Sequence, residues 1–394
     1  MNLAELDLPP GDAAPGWGQS LSTGAAGITL LHLENVHTGA GDWSVAHQWA
    51  RAMIRDSVTA DPDTAGLFRG VPAVAFTLHS ARQPAYAEVL RVLDEHIAAI
   101  TRHRLCQAHD RIDRGQLPRL REFDLMSGLT GLGVGLLHRD RHPELLRDVL
   151  AYLVRLTEPI TTNGEHLPGW WSEDSPSGQP SKDWPGGHAN FGIAHGVAGP
   201  LALLATARRR GIAVAGQTEA ISHITRWLDR WRNGTGYDAW WPGMISRAEW
   251  HDQTLRQSGP QRPSWCYGTP GLARAQQLAA IALDNSTRQR AAEDALAGCI
   301  SDEKQLALLS DLSLCHGWAG LLQATRRTAA DAIDDRLTEQ VPALHSRLTK
   351  HLNYYGQSAE PGLLEGAAGV LLALHATTTS DLVTRWDACL LLEG

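Results

Sequence analysis

Residues 266–275 read CYGTPGLARA and residues 315–324 read CHGWAGLLQA. Each places a cysteine two residues, and a hydrogen-bonding ring one residue, ahead of a glycine; a second glycine follows three residues later and opens an apolar run. The same phrase, G-x-x-G or a close variant, returns at Gly24, Gly70, Gly128, Gly196 and Gly366, so the chain holds seven copies, the second with Ala73 in place of its second glycine. Gly268, Gly317 and Gly366 are evenly spaced. A phrase that recurs in this way marks a repeat architecture.

Between the phrases lie segments whose apolar residues fall at helical intervals, at 85–104, 143–156, 218–231 and 337–352. Each unit therefore reads as one amphipathic helix and one shorter, more apolar helix that begins at the glycine phrase. A helix apolar on nearly all sides must be buried, and an amphipathic one covers it from outside. The expected fold is all-α: an α/α toroid of seven helical-hairpin repeats, about fourteen helices, forming a single domain over 1–394. Most of the glycines serve such a fold as packing spacers.

In a closed ring the residues just before the first glycines, namely Thr23, Arg69, Ser127, His195, Tyr267, His316 and Glu365, converge on one mouth. All of them can hydrogen-bond. The stretch 157–192 is too rich in Pro, Gly and Ser for a long helix and reads as an irregular rim or lid segment over that mouth.

With 43% hydrophobic and 20% charged residues the chain has the makings of an ordinary buried core. No secretion signal opens it and no apolar run reaches the roughly 18 residues needed to span a bilayer, which reads as a cytoplasmic protein that meets a membrane only through partners. The net charge of -8 comes from acids and bases mixed along the chain, without the basic stripe of a nucleic-acid binder. Five scattered cysteines, an odd number, argue against a disulfide framework.

Cys266 and Cys315 occupy the same position in neighbouring repeats, and His316 adds a third donor. Two thiolates and an imidazole suit Zn²⁺, and three ligands with no C-x-x-C pair to complete them leave the open corner of a catalytic site. Cys106, Cys299 and Cys389 lie outside the phrases and read as ordinary cysteines. One zinc per chain held by Cys266, Cys315 and His316 would deprotonate an incoming thiol, and only the thiolate is a competent nucleophile. Activation of water is a weaker prospect, because two thiolate ligands donate charge to the metal. His195 is the natural acid or base, with Asp124 either orienting it or capping a helix. Tyr267 and Arg262, flanking Cys266, can donate to a developing enolate oxygen or serve only in packing and a surface ion pair.

The phrases LPGWW, GGHANFGIAHGVAGPLALL, WWPGMIS, WCYGTPGLARA and LCHGWAGLL, in that order, together with the glycine repeats, resemble the lanthionine synthetase C-like family from about Gly18 to the C-terminus, and within it the bacterial class I lanthipeptide cyclases. The resemblance implies the toroid and the Cys266, Cys315, His316 zinc site. It also implies a substrate: a ribosomally made precursor peptide with a leader, already dehydrated to dehydroalanine or dehydrobutyrine. A cysteine of that peptide adds to the dehydro residue and closes a thioether ring. His195 supported by Asp124 would supply the proton, with Tyr267 and Arg262 near the metal. A dehydratase and a transporter are the implied partners in a biosynthetic complex.

Three other readings compete. A glutathione-binding member of the same superfamily would use the zinc on a small thiol. A non-catalytic scaffold would hold the precursor for a dehydratase and tolerate loss of His195. An α/α-toroid glycosidase would need two carboxylates flanking a sugar and no zinc.

Overall fold

Every glycine phrase starts a helix. In the computed structural model, which describes residues 6–162, 164–355, 360–379 and 382–393, seven apolar helices span Ala25–His37, Val71–Ser80, Leu129–Arg139, Ala198–Arg209, Thr269–Ala282, Trp318–Ala330 and Ala367–Ala376. The first glycine of the phrase is the N-cap of each, apart from Ala198–Arg209, which is capped by Val197. Each of the seven packs on the next, and the last packs on the first, so they close into a ring.

The second glycine has a steric reason. The loop ahead of each inner helix folds back over its first turn, and a Cβ on Gly271 or Gly320 would lie 2.0 or 2.1 Å from the carbonyl oxygen of Trp265 or Leu314. Gly268 is required for its backbone as well, since its φ of 114° lies where side-chain-bearing residues are strained.

Six outer helices wrap the ring: Trp43–Met53, Ala87–Asp113, Pro143–Arg155, Gln217–Arg230, Ser286–Ser301 and Arg336–Tyr355. Four of them match the amphipathic segments read from the sequence, and Trp43–Met53 and Ser286–Ser301 are additions of the structure. In Gln217–Arg230 the apolar buried residues Ala220, Ile221, Ile224, Trp227 and Leu228 form one stripe, whereas Ala198–Arg209 is buried from Ala198 through Ala207. Full burial of its three leucines contributes about 1.5–3 kcal/mol apiece. Three further helices, Leu120–Phe123, Arg247–Asp252 and Glu303–Leu306, are short connectors, which brings the α-helices among the described residues to sixteen.

The seventh outer position departs from the repeat. Among the described residues after Ala367–Ala376 the chain forms only the 3₁₀ turn Trp386–Leu390, and this segment goes inward. The N–H groups of Val383 and Thr384 donate to the buried Glu34 of the first inner helix, Trp265 donates to Leu390 O at 2.9 Å and Arg274 to Leu392 O at 2.9 Å. Asp387, wholly buried, receives Arg327 and Gln323 from the sixth inner helix, and the turn also packs on Leu129–Arg139. A segment bonded to inner helices on several sides of a ring occupies its centre.

Within 157–192 no helix forms among the described residues. Ile160–Thr162 pairs antiparallel with Glu165–Leu167, and His188–Asn190 pairs with Met244–Ser246. Trp170 and Trp171 are buried, so this stretch is anchored rather than loose. Among the described residues no helix is long and apolar enough to cross a membrane.

Candidate active site

Backbone hydrogen bonds between equivalent loop residues explain why distant positions meet. Cys266 N–H donates to Cys315 O at 3.1 Å, Cys315 N–H to Leu364 O at 2.9 Å and Leu364 N–H to Ser22 O at 3.0 Å. On the other side Ile193 N–H donates to Cys266 O at 3.2 Å and Leu125 N–H to Ala194 O at 3.1 Å. These links bring Asp124, His195, Cys266 and Cys315 to one end of the ring.

The donor atoms of Cys266, Cys315 and His316 all lie within 4.8 Å of one another. Two sulfurs bound about 2.3 Å from a tetrahedral ion stand about 3.8 Å apart, so the cluster fits zinc with little rearrangement. The hydrogen bond from Cys315 is the largest influence on Cys266 and, with His316 and Ser264 and against the cost of burial, pulls its thiol down to about 5. The same hydrogen bond, with burial, pushes Cys315 up. The other three cysteines are also free; Cys299 and Cys389 are buried, with thiols raised by that burial, and Cys106 is exposed on an outer helix.

His195 Nδ1 lies 2.7 Å from Asp124 Oδ2. Asp124 ends the short helix Leu120–Phe123, and its Oδ1 accepts the N–H groups of Ser127 at 2.7 Å and Gly128 at 2.8 Å. The capping and orienting roles therefore fall to separate oxygens of one carboxylate. Burial works against protonation of His195, but the hydrogen bond and charge of Asp124 outweigh it and raise the imidazole above its usual value. The Asp124 side chain is 3% exposed and that of His195 39%, so the relay runs from a buried anion to an open ring.

Tyr267 stacks beside His195, with ring centroids 6.5 Å apart, and its hydroxyl accepts from Asn190 Nδ2 at 3.0 Å. Burial pushes that hydroxyl up to about 12, so it stays a neutral donor. Arg262 is half-buried, and its charge favours the thiolate of Cys315 and disfavours protonation of His316. All seven residues singled out in the sequence thus fall in one neighbourhood. His195 and Asp124 also line a cavity of about 860 Å³ that runs over the first three repeats.

Two participants escaped the sequence reading. Asp311 Oδ2 lies 3.3 Å from His316 Nε2 while its Oδ1 accepts Ser313 N–H at 2.8 Å. Metal-bound imidazoles generally give their other N–H to such a carboxylate, which sets tautomer and orientation. Asn190 holds Gly192 N–H through Oδ1 and Tyr267 through Nδ2. The Asp-x-Ser ahead of Cys315 was a legible turn signal; nothing local marked Asn190.

Residues 15–391 match the family described as lanthionine synthetase C-like protein. The nisin biosynthesis protein NisC of Lactococcus lactis subsp. lactis is 24% identical over 382 residues, which cover 95% of this chain and 88% of that protein. The solved structure of a nisin cyclase superposes with a TM-score of 0.81 at 22% identity, over 96% of this chain and 93% of its own. At that identity the superposition establishes the α/α toroid.

Proposed function

The chain belongs to the lanthionine synthetase C-like family, and on that premise we propose that it is a zinc-dependent lanthipeptide cyclase, closing (methyl)lanthionine rings in a dehydrated precursor peptide. The observation that carries this reading is the meeting of two devices at one mouth: a Cys, Cys, His cluster with an open fourth corner, and an imidazole tuned by a buried carboxylate. A non-catalytic scaffold has no use for the second.

Cys266, Cys315 and His316 would hold the zinc, with Asp311 orienting His316. Once bound there, the metal would supply Lewis acidity that lowers the pKa of the peptide cysteine so that it reacts as a thiolate at neutral pH. The sulfur attacks the β-carbon of dehydroalanine or dehydrobutyrine, the π pair moves toward the carbonyl, and His195 returns a proton to the α-carbon. The net change is an isomerisation. Asp124 holds the His195 ring through Nδ1, which leaves Nε2 for that transfer. Tyr267 and Arg262 donate hydrogen bonds to the enolate oxygen. Holding thiol and acceptor together converts the encounter into an intramolecular one. In the cytoplasm the substrate arrives from a dehydratase, and a transporter follows.

The test follows from the isomerisation, which leaves the mass unchanged. Zinc-loaded protein is incubated with a precursor peptide dehydrated by co-expression with a dehydratase, then with iodoacetamide. Closure is expected to remove the alkylatable thiols at constant peptide mass. Thiols that stay fully alkylatable would overturn the proposal.

A further inference from the structure

The repeat loops are knitted together at every junction of the mouth save one. Backbone hydrogen bonds link repeat 1 to 2 through Leu21 N–H and Phe68 O, repeat 3 to 4, 4 to 5, 5 to 6, 6 to 7 and 7 to 1. Among the described residues none joins the loop of repeat 2 to that of repeat 3. In its place Arg104, from the outer helix Ala87–Asp113, spends its three nitrogens on carbonyls of both loops: Nε on Pro62 O at 2.5 Å, Nη2 on Ala65 O at 2.8 Å and Nη1 on Ser127 O. Arg104 ties together two loops that also touch directly, where Gly66 packs against the backbone of Ser127.

Gly66 and Ser127 of this junction line the 860 Å³ cavity, together with Trp17, Thr23, Phe68 and Met126 and the turn at Pro176–Gln179, within the rim segment expected from the sequence. The lining mixes hydroxyls and apolar surface with the charged side chains of Asp63, Arg69 and Arg121, and its size is that of sites that enclose a molecule of many atoms rather than one side chain.

We propose that this groove seats the acceptor-side segment of the peptide, the stretch bearing the dehydro residue, and that Arg104 fixes the two loops that line it; the inference rests on the cyclase reading. Ring order supplies the argument. The groove lies over repeats 1 to 3, His195 belongs to repeat 4, and the thiol-binding cluster belongs to repeats 5 and 6. A sulfur that attacks from the metal side and a proton that arrives from His195 must meet at adjacent carbons between them. The chain carrying those carbons then continues past His195, away from the metal, where the groove begins. The cysteine-bearing arm lies on the other side. Two arms on opposite sides of one imidazole accommodate rings of differing size without a pocket shaped to any of them.

The test separates the arms. A fluorescein-labelled synthetic peptide with one dehydroalanine and no cysteine is titrated by anisotropy against the parent, Thr23→Trp, Ser127→Trp, Arg104→Lys and Cys315→Ala. Thr23 and Ser127 are exposed, so a tryptophan there fills the groove and spares the core; circular dichroism and zinc content verify this. The two tryptophan variants should weaken binding about ten-fold or more. Arg104→Lys, which keeps the charge but loses the fork, should weaken it less. Cys315→Ala should bind as the parent does. Equal affinity in the tryptophan variants, loss of binding in Cys315→Ala, or no binding by the parent would each overturn the groove. A parent that binds this peptide yet leaves a cysteine-bearing dehydrated peptide open would overturn the cyclase reading alone.

Discussion

The two ends of the ring are built from the same seven helices and treat charge in opposite ways. At the closed end Asp387 is wholly buried and receives Arg327 and Gln323, while Arg274, also buried, meets Asp331 at 2.8 Å and the carbonyl of Leu392. Both of these buried charges are answered by a partner of opposite sign. At the open end His195, Cys315 and His316 are half-buried, each held on one side and left free to act on the other. Satisfied charges lock the fold; partly satisfied ones do chemistry. The closed end also reaches the open one, because Trp265, next to Cys266, hangs from Leu390 O.

The contrast can be broken from either side. Cys315→Ala should abolish both zinc binding and ring closure while the helical signal stays intact, since helix packing closes the ring; elemental analysis with circular dichroism reads both. His195→Ala should keep its zinc and lose about 10²–10⁴ in turnover, the usual contribution of a positioned acid; unimpaired closure kinetics would count against its role. At the other end Asp387→Ala strands Arg327 and Gln323 in the interior and should cost about 3–5 kcal/mol in urea unfolding, with the folded fraction still holding zinc. If that variant lost metal without losing stability, the division between the ends would fail.

Smaller effects sharpen the picture of the mouth. Asp311→Asn should weaken zinc by about 10–100-fold in chelator competition, as loss of a carboxylate behind a metal-bound imidazole generally does. Asp124→Asn keeps an oxygen for Ser127 and Gly128 N–H but removes the charge that raises His195. A raised imidazole stays protonated to higher pH, so in the variant the alkaline limb of turnover should move to lower pH. An unmoved limb would assign the proton to another group.

Much of the fold was legible because its signal is local and repeated. The start of each inner helix follows from a glycine phrase, and the pairing of Cys266 with Cys315 follows from their common place in it. The role of Asp124 was half legible: a carboxylate ahead of an apolar run reads as a cap, and its second oxygen found His195 only through a loop 71 residues away. Asp311 was within reach of a turn reading and was missed, because its partner oxygen serves an ordinary Asx turn.

The sequence by itself determined the seven-fold helical repeat, the mouth and the meeting of Cys266, Cys315 and His316, since each depends on residues at fixed short spacing whose meaning the repeat multiplies. Only the tertiary structure decided that residues 382–393 turn inward instead of forming a seventh outer helix, and that Arg104 ties two loops together. Both rest on contacts between residues far apart in sequence, Glu34 with Thr384 or Arg104 with Ser127. No local pattern encodes such a contact, because it exists only once the ring has closed, left a centre to fill and brought two distant loops side by side.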